Sequence, residues 1–199
     1  ADIYGGGGGS EELIGEVLEM SKIEAGQSIL HPMEFNASLV LRDLGNMFRV
    51  KAAEKSLELF IETDPDISAT IVTDKQKFRQ ILINLVGNAV KFTSEGKVAV
   101  RMWTRPDNES AGSLRVFIDV EDTGPGIAEK DIGKLFRMFS QTADGAASGG
   151  TGLGLAISAN FARMMGGNIH VTSQLGKGSC FHVEIRAERG SGNGVDSSQ

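Results

Sequence analysis

Three stretches of the chain alternate apolar and polar residues over seven to nine positions: KVAVRMW from Lys97, LRVFIDVED from Leu114 and GSCFHVEIR from Gly178. Period-two alternation rich in β-branched residues marks strands with one face turned toward a core. The first two are joined by the turn-rich TRPDNESAGS and read as a hairpin. The third pairs with NIHVTS across the short connection QLGK. Hairpins demand antiparallel neighbours, which argues against a doubly wound parallel sheet. Around them lie helical patterns in SEELIGEVLEMSKIEAGQ, from Asn36 to Lys55, from Asp74 to Phe92, from Glu129 to Phe139 and in LGLAISANFARMMGG. LELFIE and ATIVT add two short strands. This order predicts an α/β fold, a two-layer sandwich with a mixed sheet packed on helices.

The 199 residues suffice for one ordinary domain with a real core and a short appendage. A net charge of -6 argues against non-specific nucleic-acid binding, which depends on clustered Lys and Arg. No apolar run approaches the ~20 residues that span a bilayer, so neither a membrane segment nor a signal peptide is expected. Cys180 stands alone, which excludes an intrachain disulfide and suits a reducing cytosol. Residues 1–10, ADIYGGGGGS, have the composition of a designed linker and are expected to be flexible, as is the tail 190–199. Ser10 is the expected N-cap of the first helix and Gly26 its stop. Its stripe of Leu13, Val17, Met20 and Ile23 should pack on another helix or another chain.

Chemistry-bearing residues cluster in three places. In NLVGNAVKF, residues 84–92, and the turns before it, helical spacing sets Phe78, Ile81, Leu82, Leu85, Val86, Ala89 and Val90 on a core face. Gln80, Asn84, Asn88 and Lys91 lie opposite. Such a stripe is either a solvated face or a site in which Asn oxygens meet a hard cation and Lys91 meets phosphate. In DVEDTGPGI a strand delivers Asp122 to its end and the chain turns through Gly124 and Gly126. The segment is an ordinary capped turn, or a carboxylate poised for an amine beside a backbone open to a planar ligand. In SGGTGLGLAI, Gly149, Gly150, Gly152 and Gly154 run into a helix, whose exposed amides would suit an anion. No Lys follows these glycines, so this is not a Walker-type loop.

The order and separation of these stretches resemble the ATP-binding catalytic domain of sensor histidine kinases, within the superfamily that also holds gyrase, heat-shock chaperone and mismatch-repair ATPases. NLVGNAVKF is similar to its N box, DTGPGI to its first glycine box, LFRMF to its phenylalanine box and GGTGLGLAI to its second glycine box. Upstream, EVLEMSKIEAGQ resembles the end of the second helix of a dimerization and phosphoacceptor domain. The resemblance implies a Bergerat-type fold over residues 27–189, preceded by the end of that helix over residues 11–26. It further implies Mg-ATP as ligand, with Asn88 and Asn84 at Mg2+, Asn84 either directly or through water, and Lys91 at a phosphate. Asp122 would accept from the adenine amine, with Gly124, Gly126 and Ile127 at the base pocket and Ser179, where Thr is common, joining Asp122 in a water network. Residues from Glu129 to Gly150 would form a lid anchored by Phe136 and Phe139. Gly150, Thr151, Gly152, Leu153 and Gly154 would close over the phosphates. The small residues of Ser140 to Gly150 would leave that lid mobile without nucleotide.

Two departures from the family pattern stand out. Arg137 and Met138 occupy the phenylalanine box where an acidic residue and a proline are common, so Arg137 is either a phosphate contact or a solvated lid residue. None of His31, His170 and His182 lies in a phosphoacceptor pattern, and no catalytic acceptor or base is identified. The resemblance therefore implies a cytoplasmic catalytic module cut from a longer, hybrid-type kinase. Its partners would be ATP, the parent's dimerization and phosphoacceptor domain, and a receiver domain or response regulator. A stand-alone ATPase of the same superfamily and a non-catalytic nucleotide-binding regulator are the alternatives.

Overall fold

The computed structural model describes residues 7–64, 70–139 and 151–192. Five helices and seven strands are described: α1 Gly7–Glu24, β1 Met33–Phe35, α2 Ala37–Glu54, β2 Glu58–Thr63, β3 Ile71–Thr73 and α3 Lys75–Phe92. They continue as β4 Lys97–Pro106, β5 Ser113–Asp122, α4 Glu129–Ile132, α5 Gly154–Met164, β6 Asn168–Gln174 and β7 Gly178–Arg189. The strands form one mixed sheet in the order β1-β3-β7-β5-β4-β2, with β6 also on β7. β4 and β5 are the expected antiparallel hairpin, β6 and β7 are the second, and β2 runs parallel to β4. The two-layer mixed sandwich expected from the alternation is therefore the fold.

Burial alternates along β5 without interruption: Leu114, Val116, Ile118, Val120 and Asp122 are buried, and the residues between them are partly exposed. That inner face meets α2, α3 and α5 in one core centred on Leu41, Leu44, Phe78, Leu82, Leu85, Met102, Ile118, Phe161 and Ile185. All seven apolar residues assigned to the core face of α3 are buried. Short polar side chains start α2 and α3. Asn36 accepts the Leu39 amide at 3.1 Å, and Asp74 accepts the Lys77 amide at 2.9 Å. The second oxygen of Asp74 accepts the His31 amide at 2.9 Å. Burial would push this carboxyl up, but the two amides and the Lys77 ammonium outweigh it and hold it below its usual value.

Several expectations at chain ends and short elements are corrected. The first helix begins at Gly7, so Ser10 lies within it and is not its N-cap. An existing helix gains one hydrogen bond per residue added, and so propagates into a sequence that would not nucleate one. Residues 1–6 lie outside the described residues. At the other end Gly190–Gly192, the start of the expected tail, bond to the body of the fold. The Gly190 amide donates to the Thr70 carbonyl at 3.0 Å, Ser191 to Glu34 at 3.0 Å and the Gly192 amide to the Thr70 hydroxyl at 3.2 Å. The rest of the expected tail, residues 193–199, lies outside the described residues. The helix expected from Glu129 to Phe139 stops at Ile132, where Gly133 caps it, and the chain continues in turns. β1 spans three residues, too few to show a period.

One tertiary cap bears on the site. The Lys55 ammonium, just past α2, donates to the carbonyls of Val90 at 2.8 Å, Lys91 at 2.7 Å and Thr93 at 3.2 Å. A cation there satisfies the otherwise unpaired acceptors at the end of α3 and complements its dipole. Lys55→Met keeps the aliphatic stem and removes the charge. It is expected to lower stability by about 1–2 kcal/mol, read as a lower urea midpoint at unchanged denaturant slope. A midpoint equal to the parent's would show that water serves these carbonyls equally well.

Candidate functional site

α3 lies between the two glycine-rich segments and touches both. Near its middle, the Asn84 amide donates to the Gly154 carbonyl at 3.0 Å and to Ser158 at 2.9 Å, and its oxygen accepts from Gln80 at 3.0 Å. Asn84 thus ties α3 to the first turn of α5. At its end, a methyl group placed on Gly124 would lie 3.2 Å from the Thr93 hydroxyl and 3.4 Å from the Phe92 carbonyl. The turn after β5 therefore closes against the last residues of the helix. Asn88 sits one turn beyond Asn84, half-buried, and Lys91 is exposed with its ammonium 5.4 Å from the Phe92 ring centre. Of the polar stripe legible in the sequence, Asn84 makes the contact with the second glycine-rich segment, while Phe92 and Thr93, just past the stripe, meet the first.

Asp122 ends β5 with 9% of its surface exposed, and its Oδ1 accepts the Gly124 amide at 2.8 Å. Burial pushes this carboxyl above its usual value, against the pull of the Gly124 and Ser179 amides. Nearby, across Gly124, the Thr93 hydroxyl is fully buried and has no hydrogen-bond partner among the described residues. A buried, unpaired hydroxyl near a buried carboxylate, at a turn open through glycine, fits a polar planar ligand or its bridging water. The turn is docked on the β6–β7 connection. Gly126 has φ +71, and its missing side chain leaves room for the Gln174 carbonyl. The Gly176 amide donates to the Pro125 carbonyl at 2.7 Å.

Ser179, expected beside Asp122, is its register partner on β7. Its hydroxyl meets Ser173 at 2.8 Å, and Ser173 in turn accepts the Ile127 amide at 2.7 Å. Sequence reasoning missed Ser173, Thr93 and Ser158. Each gains its role from a partner far along the chain, and only Ser158 carried a local signal, four residues after Gly154 on one helix face.

At the start of α5 no side chain among the described residues caps the helix, and Leu153 is fully buried. Gly152 adopts φ +72, and Thr151 accepts the Leu153 amide at 3.2 Å while donating to Glu16 of α1. The first helix thus touches the second glycine-rich segment through Glu16 and buries Met20, whereas Leu13 and Val17 of its expected stripe are exposed. Gly149 and Gly150 lie outside the described residues, as does the rest of the expected lid from Ser140 on. Of the two anchoring phenylalanines, Phe136 packs edge-on to Phe181 at 6.4 Å, whereas Phe139 is 69% exposed. The turn after α4 tucks Leu135 and Phe136 inward and carries the next residues outward. Arg137 is exposed.

The family described as "Histidine kinase-, DNA gyrase B-, and HSP90-like ATPase" matches residues 73–189. The virulence sensor protein BvgS of Bordetella bronchiseptica is 40% identical over 178 residues, covering 88% of this chain and 14% of that protein. The sensor histidine kinase GacS of Pseudomonas protegens is 41% identical over 176 residues, covering 87% of this chain and 19% of that protein. The chain therefore spans less than a fifth of the length of these two relatives. Among solved structures, full-length ShkA in complex with AMPPNP superposes with a TM-score of 0.76 at 30% identity, over 90% of this chain and 36% of that one.

Proposed function

Because the chain belongs to the histidine kinase-, DNA gyrase B- and HSP90-like ATPase family, we propose that it binds Mg-ATP between α3 and the two glycine-rich segments. It would donate the γ-phosphoryl group to a histidine on a dimerization and phosphoacceptor domain. The observation that carries this reading is the meeting of all three motifs on α3, through Asn84 at one and the Thr93–Gly124 contact at the other. Asp122 would hold the adenine amine, and the buried Thr93 hydroxyl would complete the base's polar contacts. Asn88 would offer a carbonyl oxygen to Mg2+, while Asn84, already bonded to Gln80, Gly154 and Ser158, would position the helix. Lys91 and the uncapped amides of α5 would meet phosphate. The metal ion would neutralise charge on the phosphates during transfer. The module would be cytoplasmic, and no helix among the described residues is long and apolar enough to cross a membrane.

His170 and His182 lie on the sheet face turned away from α3 and α5, alternating with the inward-facing Ile169, Val171, Phe181 and Val183. Neither is placed to receive a phosphoryl group from that cleft. The expected result is that labelled ATP and Mg2+ leave this chain unlabelled. An added dimerization domain bearing a candidate histidine would gain acid-labile, base-stable label. Asn88→Ala should abolish most of the Mg2+-dependent part of ATP binding measured by calorimetry. Free phosphate released at the same rate with and without the acceptor would replace the kinase reading by a stand-alone ATPase.

A further inference from the structure

The outer face of the sheet carries a group of side chains that the nucleotide cleft does not use. Asp119 on β5 and His182 on β7 are register partners, and His182 Nδ1 meets Asp119 Oδ1 at 2.7 Å. Cys180, two residues before His182 on the same face, places Sγ 3.9 Å from Nδ1. One ligand atom from each of the three lies within 4.8 Å of the others, and all three residues are half-buried. On the far side of the imidazole, Thr172 of β6 meets Nε2 at 3.0 Å, and His170 stacks on the ring at 4.6 Å.

We propose that Asp119, Cys180 and His182 form a binding site for a zinc-like divalent transition-metal ion, separate from the nucleotide cleft. Thiolate, imidazole and carboxylate are the donor set that a borderline-soft ion takes, and three protein ligands leave a fourth position for water. Metal–ligand distances of about 2.0–2.3 Å in a tetrahedron separate N from O by about 3.3 Å and S from N by about 3.6 Å. The Sγ–Nδ1 distance needs to shorten slightly, and the carboxylate needs to move back from its hydrogen bond by well under ~1 Å. A rotamer adjustment on a solvent-facing strand surface supplies both. Thr172 can accept from Nε2–H, which leaves Nδ1 unprotonated toward the ion and fixes the ring, the usual office of an outer-shell partner.

A reactive thiol does not account for the cluster, because burial, with Asp119 and Glu121 beside it, pushes the Cys180 thiol up to about 12. A bound cation would reverse that bias by displacing the thiol proton. A plain cross-strand polar row accounts for Asp119, His182 and Thr172 but gives no role to the sulfur. An ion here would staple β5 to β7 behind the cleft, on the strand that ends in Asp122 and on the strand that carries Ser179 beside Cys180.

The test is titration of the nucleotide-free chain with Co2+ followed by Zn2+. Cys180 is the one cysteine in the sequence, so a thiolate-to-cobalt charge-transfer band reports on this site alone. One Co2+ should bind per chain with that band, and one equivalent of Zn2+ should displace it. Cys180→Ser should abolish the band and weaken Zn2+ binding at least about tenfold by competition with a chelator. Asp119→Asn and His182→Gln should each weaken it at least about tenfold, and Thr172→Val by about tenfold or more. Asn88→Ala should leave it unchanged, so failure of the nucleotide reading and failure of this one are distinguishable. Absence of the band at excess Co2+ would overturn the proposal, as would Zn2+ binding unaltered in Cys180→Ser. That variant changes a single atom on a half-exposed surface, and it decides the matter if either of the Asp119 and His182 variants misfolds.

Discussion

Asp122→Asn is expected to weaken ATP binding roughly 100-fold, corresponding to about 3 kcal/mol for removing a charged acceptor and setting one amide group against another. The same substitution should stabilise the ligand-free protein at neutral pH, by about 1 kcal/mol or less, as replacements at functional positions often do. The reason is the direction of the carboxyl's shift. Burial raises it in the folded chain above the 3.8 of an unperturbed Asp. The contribution of this group to stability is then fully present below the unfolded value and is lost as the pH rises through the folded value. At neutral pH the parent holds a charge that its surroundings disfavour, whereas the amide side chain holds none and still accepts from Gly124. The stability gap should therefore shrink as the pH is lowered toward 3.8. Calorimetry with ATP and urea titrations at several pH values measure the two halves. A variant that binds ATP like the parent would remove Asp122 from the base pocket, and a variant that is less stable at neutral pH would mean that the folded chain favours the charge.

Gly126→Ala should be the most damaging glycine replacement in the first glycine-rich turn. The added carbon would overlap the Gln174 carbonyl oxygen and lie 2.7 Å from its carbon and 3.0 Å from Leu175 Cα, at a φ of +71. Every obstacle is backbone, so relief requires that the turn and the β6–β7 connection separate. We expect a loss of about 3 kcal/mol and at least about a tenfold weaker affinity for ATP, because the same turn carries Asp122 and Ile127. Gly176→Ala is the control. Gly176 has φ +76 but no described atom within 4 Å of the added carbon, so its replacement meets only the left-handed backbone penalty of about 1–2 kcal/mol. Equal losses in the two variants would mean that backbone angle, not the contact with Gln174, makes Gly126 necessary.

Elements with a local signal were legible before any coordinates. Period-two alternation set β4, β5 and β7, and the 3.6-residue period placed Asn84, Asn88 and Lys91 opposite a core face that is buried throughout. The expected helices began at Asn36 and Asp74, which in the fold stand just outside them as caps, each accepting an amide three residues on. The order of the motifs pointed to the family, since recognition of that kind depends on separation along the chain and not on contact. Which polar group meets which emerged only in the assembled fold. Asn84 reaches Gly154 and Ser158 across 70 and 74 residues, Lys55 caps the end of a helix far downstream, and Ser173 joins Ile127 to Ser179. Packing also tucked Phe136 against Phe181 while leaving Phe139 outside, and drew Gly190–Gly192 onto Thr70 and Glu34. Backbone sterics and hydrophobic period act over a few residues and repeat wherever the sequence repeats them. A hydrogen bond between distant side chains exists only after the whole core has set two elements within about 3 Å of one another, and no local pattern encodes that distance.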